Sequence, residues 1–156
     1  MAIAVFTATP VLVLFADLTT KEIASKSWAV RMGRTIIPGL LNFHYNENAG
    51  AVFGIGQGMQ KWLLLGTAVA LVAILWAVHR YAREHSLLCF GLGLLLGGAL
   101  GNAHDRLVLN VVRDFIDVYV GTHHWPTFNV ADMAICVGAA IVAIFAVRDP
   151  NRIAKD

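Results

Sequence analysis

Charge is scarce in this chain. Twelve Lys and Arg and ten Asp and Glu make up 14% of its 156 residues, and the net charge is +2. An average soluble domain carries about 25% charged residues. A globule of this size exposes much of its surface, and so few charges cannot cover it, which excludes an ordinary soluble domain. Few charges and high hydrophobicity also exclude a disordered chain. The near balance of sign excludes a strongly basic nucleic-acid binder. Cysteine is rarer still: Cys89 and Cys136 both fall in apolar stretches, give no disulfide framework, and read as buried, reduced packing thiols. No internal repeat and no low-complexity run is present.

What is abundant is apolar. Hydrophobic residues reach 58% and the mean hydropathy is +0.66. Apolar stretches run over Ala2–Leu18, Trp62–Val78, Leu87–Leu100 and Val130–Val147. A helix crossing the hydrocarbon core needs about 20 residues. These stretches predict spans at about 2–18, 60–78, 86–103 and 129–147 within one membrane domain, 1–156. The first span lacks the basic start and small-x-small site of a cleaved signal peptide, and it holds Pro10, which a membrane helix tolerates.

Long polar segments, about 19–59 and 104–128, lie on one side, and the short connection His79–Ser86 lies on the other with both termini. Positive charge is denser on the termini side (Arg80, Arg83, Arg148, Arg152, Lys155), so the termini are expected to be cytoplasmic. In the first outer segment Leu41, Phe43 and Tyr45 alternate with polar residues after a Pro38-Gly39 turn signal. A small β-structure outside the membrane follows, since an open sheet edge cannot face lipid.

Several chemistries are absent. The six histidines form no HExxH, and no GxSxG elbow or GxGD motif occurs. His123-His124 beside Trp125 reads as a polar loop at the membrane face, and Gly54–Gly58 (GIGQG) as a flexible loop rather than a phosphate cradle. The acids are more informative. Gly93, Gly97 and Gly101 recur every four residues and suit close helix packing; the next step is Asp105, which shares a face with Asn102 and Arg106. That cluster is either the floor of a site or a helix-end ion pair. Asp132 heads the last span, where a carboxylate is either functional or an N-terminal cap. Asp114 is a second acid on the same side, with Asp117 as competitor. Two carboxylates brought together share a proton, so one can activate water while the other donates to a carbonyl oxygen. Asp17 and Lys21 are spaced for an intrahelical pair, structural or merely on the surface.

In order along the chain, Asp17-x-x-x-Lys21, Asn48-Ala-Gly-Ala-Val-Phe-Gly54, Gly98-Ala-Leu-Gly-Asn102-Ala-His-Asp105-Arg106, Val112-Arg-Asp114-Phe-Ile and Phe128-Asn129-Val-Ala131-Asp132 resemble the motifs of the lipoprotein signal peptidase (signal peptidase II) family. The resemblance implies a bacterial inner-membrane aspartic peptidase that acts as a monomer with no metal or organic cofactor. Such an enzyme removes the signal peptide from prolipoproteins just before a diacylglyceryl-modified cysteine. It implies a mainly α, integral membrane fold with four transmembrane helices and a small extracytoplasmic β-cradle near 28–48, with a loop over the site near 50–60. Asp114 and Asp132 would form the dyad. Asp17, Lys21, Asn48, Gly98, Asn102, Asp105, Arg106, Asn129 and Ala131 match the family's other characteristic positions. Of these, Asn48, Asn129 and Arg106 would position the dyad or substrate, and the pairs Asp105–Arg106 and Asp17–Lys21 would hold helix ends. Lipid and apolar helix faces would receive acyl chains. Departures are Leu18 for the usual Gln, Asn110 where Gly is common, and Arg113 where an apolar residue is frequent; Arg113 would point to headgroups or lower the pKa of Asp114. A proton-coupled transporter, a structural assembly factor and an inactive relative are the competing readings.

Overall fold

The computed structural model describes residues 2–50, 58–81 and 85–148. Arg83, Arg152, Lys155 and most of the 50–60 loop lie outside the described residues. Uninterrupted apolar sequence makes long helices here: α1 (Ala2–Lys26), then, after the short α2 (Trp28–Arg31), α3 (Gln60–Tyr81), α4 (Ser86–Leu109) and α5 (Val130–Arg148). All but α2 are long and apolar enough to cross a membrane. α1 and α4 continue well past the expected ends of their spans, carrying Lys21 and Asp105 beyond the apolar stretches but still on helices.

α4 is central. It packs on α1, α3 and α5, and its buried residues run from Leu88 to Asp105. Glycine makes this possible, because close backbone approach is what holds apolar helices together where lipid is as apolar as the side chains. A Cβ on Gly97 would sit 2.7 Å from Val13 Cβ and one on Gly93 2.8 Å from Thr9 Cβ, both against α1. On another face, a Cβ on Gly98 would collide with the Ala131 carbonyl of α5, and one on Gly91 would lie 2.7 Å from Ile141 Cγ2. The glycines of α4 therefore serve two partner helices, where the sequence spacing showed one stripe. α3 buries only Ile74. α5 buries Ala131, Ala134 and Gly138. Cys136 lies off that face and is exposed, contrary to the expected burial, whereas Cys89 is fully buried.

A four-stranded antiparallel sheet sits at the α1 C-terminus: β1 (Arg34–Ile37), β2 (Leu41–Asn48), β3 (Val112–Val120) and β4 (His123–His124), in that order. Pro38 and Gly39 form the β1–β2 turn, with Gly39 at φ +80° and Leu40 N–H donating to Ile37 O at 3.1 Å, as a type II turn requires. The β2–β3 ladder pairs Asn42 with Asp117 and Asn46 with Asp114, with a bulge between Phe43 and Asn46. Phe115, packed edge-on against Phe43, fixes the sheet to Ala24 of α1 and Val30 of α2. His123-His124 is a strand rather than a loop; its pairing with Tyr119 and Val120 places it there.

Candidate active site

Asp114 is the third residue of β3, five residues beyond the end of α4. Asn110 ends α4 in the left-handed region (φ 59°), which turns the chain back over the helix. That conformation favours Gly and admits Asn, which accounts for the Asn110 departure. Asp114 is 1% exposed. Its Oδ1 accepts from Asn129 Nδ2 at 2.7 Å and its Oδ2 from Asn48 Nδ2 at 3.2 Å. Burial, and next the charge of Asp132, push its pKa up from 3.8 to about 7.

Asp132 stands in the first turn of α5. Its Oδ2 accepts from Asn129 N–H at 3.2 Å, while Asn129 Oδ1 accepts from Asp132 N–H at 3.0 Å. This is a reciprocal capping box. Its other oxygen, Oδ1, accepts from Asn102 Nδ2 at 2.8 Å. The cap and the functional reading of Asp132 thus occupy different oxygens and coexist. Asn129 touches both acids: its side-chain amide holds Asp114 and its main chain holds Asp132.

Beneath the acids, Lys21 is fully buried and offers its ammonium to Asp17 Oδ2 at 2.7 Å, Asn102 Oδ1 at 3.0 Å and Asp105 Oδ2 at 3.5 Å. Asp17 Oδ1 accepts the Ala131 N–H at 2.9 Å, tying α1 to the start of α5. Gly101 leaves room for this, because a Cβ there would collide with the Asp17 carboxylate. Asp17 and Lys21 are therefore a buried structural pair, not a surface one. Asn102 Oδ1 also accepts from Asn129 Nδ2 at 3.2 Å, so two donors orient the amide and leave its Nδ2 for Asp132.

Two expected pairings are different in the structure. Asp105 does not pair with Arg106. It takes the Arg113 fork, Nη2 to Oδ1 at 2.7 Å and Nε to Oδ2 at 3.2 Å, and the Arg113 N–H at 3.1 Å. Arg106 sits a helical step away, with Nη2 on Gly50 O at 3.3 Å and Nη1 on Asn102 O at 3.4 Å, within the electrostatic field of both acids. Arg113 faces neither headgroups nor Asp114, because neighbouring residues on a strand point to opposite faces. Asp117 is also set apart: it binds His124 Nδ1 at 2.8 Å and Asn42 Nδ2 at 3.2 Å. Among the described residues no cluster of His, Cys, Asp and Glu has metal-holding geometry. Of the positions matched by motif, Asp17, Lys21, Asn48, Asn102, Asp105, Asn129, Ala131, Asp114 and Asp132 join one connected network, Gly98 shapes its packing, and Arg106 borders it. Arg113 and Glu22 belong to it as well, and no periodicity in the sequence pointed to them.

The chain is similar to known proteins. The family model described as signal peptidase (SPase) II matches residues 9–148. The lipoprotein signal peptidase of Oleidesulfovibrio alaskensis is 41% identical over 137 residues, covering 85% of this chain and 88% of that protein. The lipoprotein signal peptidase of Geobacter metallireducens is 36% identical over 155 residues, covering 97% and 96%. Two solved structures, each described as a bacterial membrane enzyme, superpose with TM-scores of 0.88 and 0.85 at 30% identity; they cover 95% and 94% of this chain and 90% and 95% of theirs. With the family model spanning nearly all of the chain and whole-length relatives at this identity, the chain belongs to the signal peptidase II family.

Proposed function

We propose that this chain is an aspartic peptidase that removes the signal peptide from diacylglyceryl-modified prolipoproteins, just before the lipidated cysteine, with Asp114 and Asp132 as its dyad. The observation that carries the reading is the pair of acids bridged by Asn129, one on a strand and one at a helix N-terminus. Burial favours one proton on Asp114 up to about pH 7. Asp132, ionised at the amide-rich start of α5, takes a proton from the attacking water. The resulting hydroxide adds to the scissile carbonyl carbon as Asp114 gives its proton to the carbonyl oxygen. The proton on Asp132 then passes to the leaving nitrogen, the C–N bond breaks, and a hydroxyl proton of the intermediate returns to Asp114, which leaves a carboxylic acid, an amine and the dyad in its starting form. Water is the only co-reactant.

Asn48 and Asn129 orient Asp114, and Arg106 is placed to hold peptide carbonyls near the sheet edge. α3 buries only Ile74, so its outer half leaves an apolar flank open to acyl chains and lipid. The site faces outward from the cytoplasmic membrane with the termini inside, the enzyme works as a monomer, and its partners are the lipidated substrate and the bilayer. A transporter would want charge near mid-span; Asp132 stands instead in the first turn of α5, and Asp17, in the sheet-side half of α1, is held by Lys21 and the Ala131 N–H at that same end of the bundle.

The test is purified protein in detergent with a diacylglyceryl-modified prolipoprotein, followed by product mass. Asp114→Asn and Asp132→Asn should each lower kcat by roughly a thousandfold, the scale of a lost acid or base. Asp117→Asn should cleave normally. Full activity in either dyad variant, with loss in Asp117→Asn, would reassign the site.

A further inference from the structure

Arg113 has no part in the proposed chemistry, yet it is 7% exposed and makes more polar contacts than either proposed catalytic acid. The buried network beside the dyad contains two carboxylates, Asp17 and Asp105, and two cations, Lys21 and Arg113. Asp17, Lys21 and Asp105 are each 0% exposed, so their charges must balance one another rather than be screened by water. We propose that Arg113 is a positioning residue: by matching the charge of Asp105 it keeps Lys21 on Asp17 and Asn102, and so keeps Asn102 turned to donate to Asp132.

The distances show why the balance is delicate. Lys21 lies 2.7 Å from Asp17 and 3.0 Å from Asn102 Oδ1, but 3.5 Å from Asp105. A shift of less than about 1 Å would make the last contact a full hydrogen bond. Arg113 removes the incentive, because its fork already occupies both oxygens of Asp105. Without that fork, two buried carboxylates compete for one ammonium. If Lys21 moves to Asp105, Asn102 Oδ1 keeps one donor, Asn129 Nδ2, which is also engaged with Asp114. The Asn102 amide is then free to turn, and the hydrogen bond to Asp132 Oδ1 goes with it. Glu22, at 3.0 Å from Arg113 Nη1, is half exposed and shared with Lys26, so it steadies the guanidinium without deciding the balance.

The inference rests on the proposed role of Asp132, and wild-type cleavage lost in Asp132→Asn tests that role separately. Steady-state cleavage is then compared for Arg113→Met, Arg113→Lys and the double variant Arg113→Met/Asp105→Asn, with thermal unfolding of each in detergent. Arg113→Met should lower kcat roughly tenfold or more, the scale of coupling inside one network, with KM within about twofold. Arg113→Lys keeps the charge and should stay within about threefold of wild type. The double variant removes one charge of each sign and should recover most of the loss. A role confined to fold stability predicts instead a lowered Tm for Arg113→Met with the kcat of the folded protein unchanged. Arg113→Lys as slow as Arg113→Met, a double variant without recovery, or a loss in KM alone overturns the proposal. Should Arg113→Met not fold, the other two decide: both folded and active supports charge matching, and either one folded but slow refutes it.

Discussion

Asp114→Asn should trade activity for stability in a way that depends on pH. The carboxyl of Asp114 titrates at about 7 in the folded protein against an ordinary 3.8. Below pH 4 it is protonated both folded and unfolded, and its burial costs nothing extra. Between pH 4 and 7 the unfolded chain ionises while the folded chain resists, so wild-type stability falls with rising pH. Above 7 the penalty is complete, at about 4 kcal/mol for a shift of this size. Asn cannot ionise and escapes that penalty. It has a fixed cost of its own: Asn48 Nδ2 and Asn129 Nδ2 both donate to Asp114, and an amide at 114 can accept through only one atom. One buried donor is left facing an NH2 group, at about 1–3 kcal/mol. The variant should therefore be less stable than wild type near pH 4 and more stable near pH 8, a swing of roughly 10 °C in Tm for a chain of this length. Thermal unfolding of both proteins in detergent, in buffers from pH 4 to 8.5, reads the difference directly. Parallel curves, with no crossing, would show that Asp114 is not a buried acid holding its proton into the neutral range.

If Asp114 is the acid as proposed, the same titration sets a pH limit: kcat should fall as pH rises through about 7, where Asp114 loses its proton, and a rate still climbing at pH 8 would contradict that proposed role. Gly98→Ala would drive a methyl group into the Ala131 carbonyl and within 2.7 Å of Ile135 Cγ1. It should cost about 1–3 kcal/mol of stability and reduce kcat by displacing the start of α5, whereas Gly66→Ala, with nothing within 4 Å, should change neither. At Asn110 (φ 59°) substitution by Val should lower stability by about 1–2 kcal/mol and substitution by Gly should not; equal Tm values for the two variants would refute the left-handed cap as the reason for the residue.

The helices could be read from the sequence because a bilayer-length apolar run has few other structures open to it, and the β1–β2 hairpin because Pro38-Gly39 supplies a turn of definite geometry. β3 was harder. It is buried on both faces over Val112–Phe115, so Val112, Arg113, Asp114 and Phe115 show no alternation of apolar and polar residues, although Val, Phe, Ile and Tyr mark a strand by composition. The acids of the proposed dyad are picked out by motif order, but their hydrogen-bond partners are not. Lys21 reaches Asn102 across 81 positions, and Asn48 reaches Asp114 across 66. Such pairings depend on how α1, α4 and the sheet meet, which local sequence does not encode. Cys136 is exposed because an apolar span has an unpacked face as well as a packed one, and an apolar run alone does not say which face a residue takes.

Charge bookkeeping explains why so many ionisable groups sit together at the end of an apolar bundle. Asp17 and Asp105 are balanced by Lys21 and Arg113. Arg106 adds a third cation, within the electrostatic field of both Asp114 and Asp132. These groups sum to neutral when the proposed dyad carries a single proton, which is the form that the proposed acid–base cleavage requires. A second ionised acid would leave one uncompensated negative charge in a poorly solvated place, and a second proton would leave one positive charge. The protonation state that the proposed mechanism needs is thus also the one that burial favours. The fold maintains it through asparagines: Asn48, Asn102 and Asn129 supply donors to the carboxylates without adding charge, so they orient both acids while leaving the count unchanged.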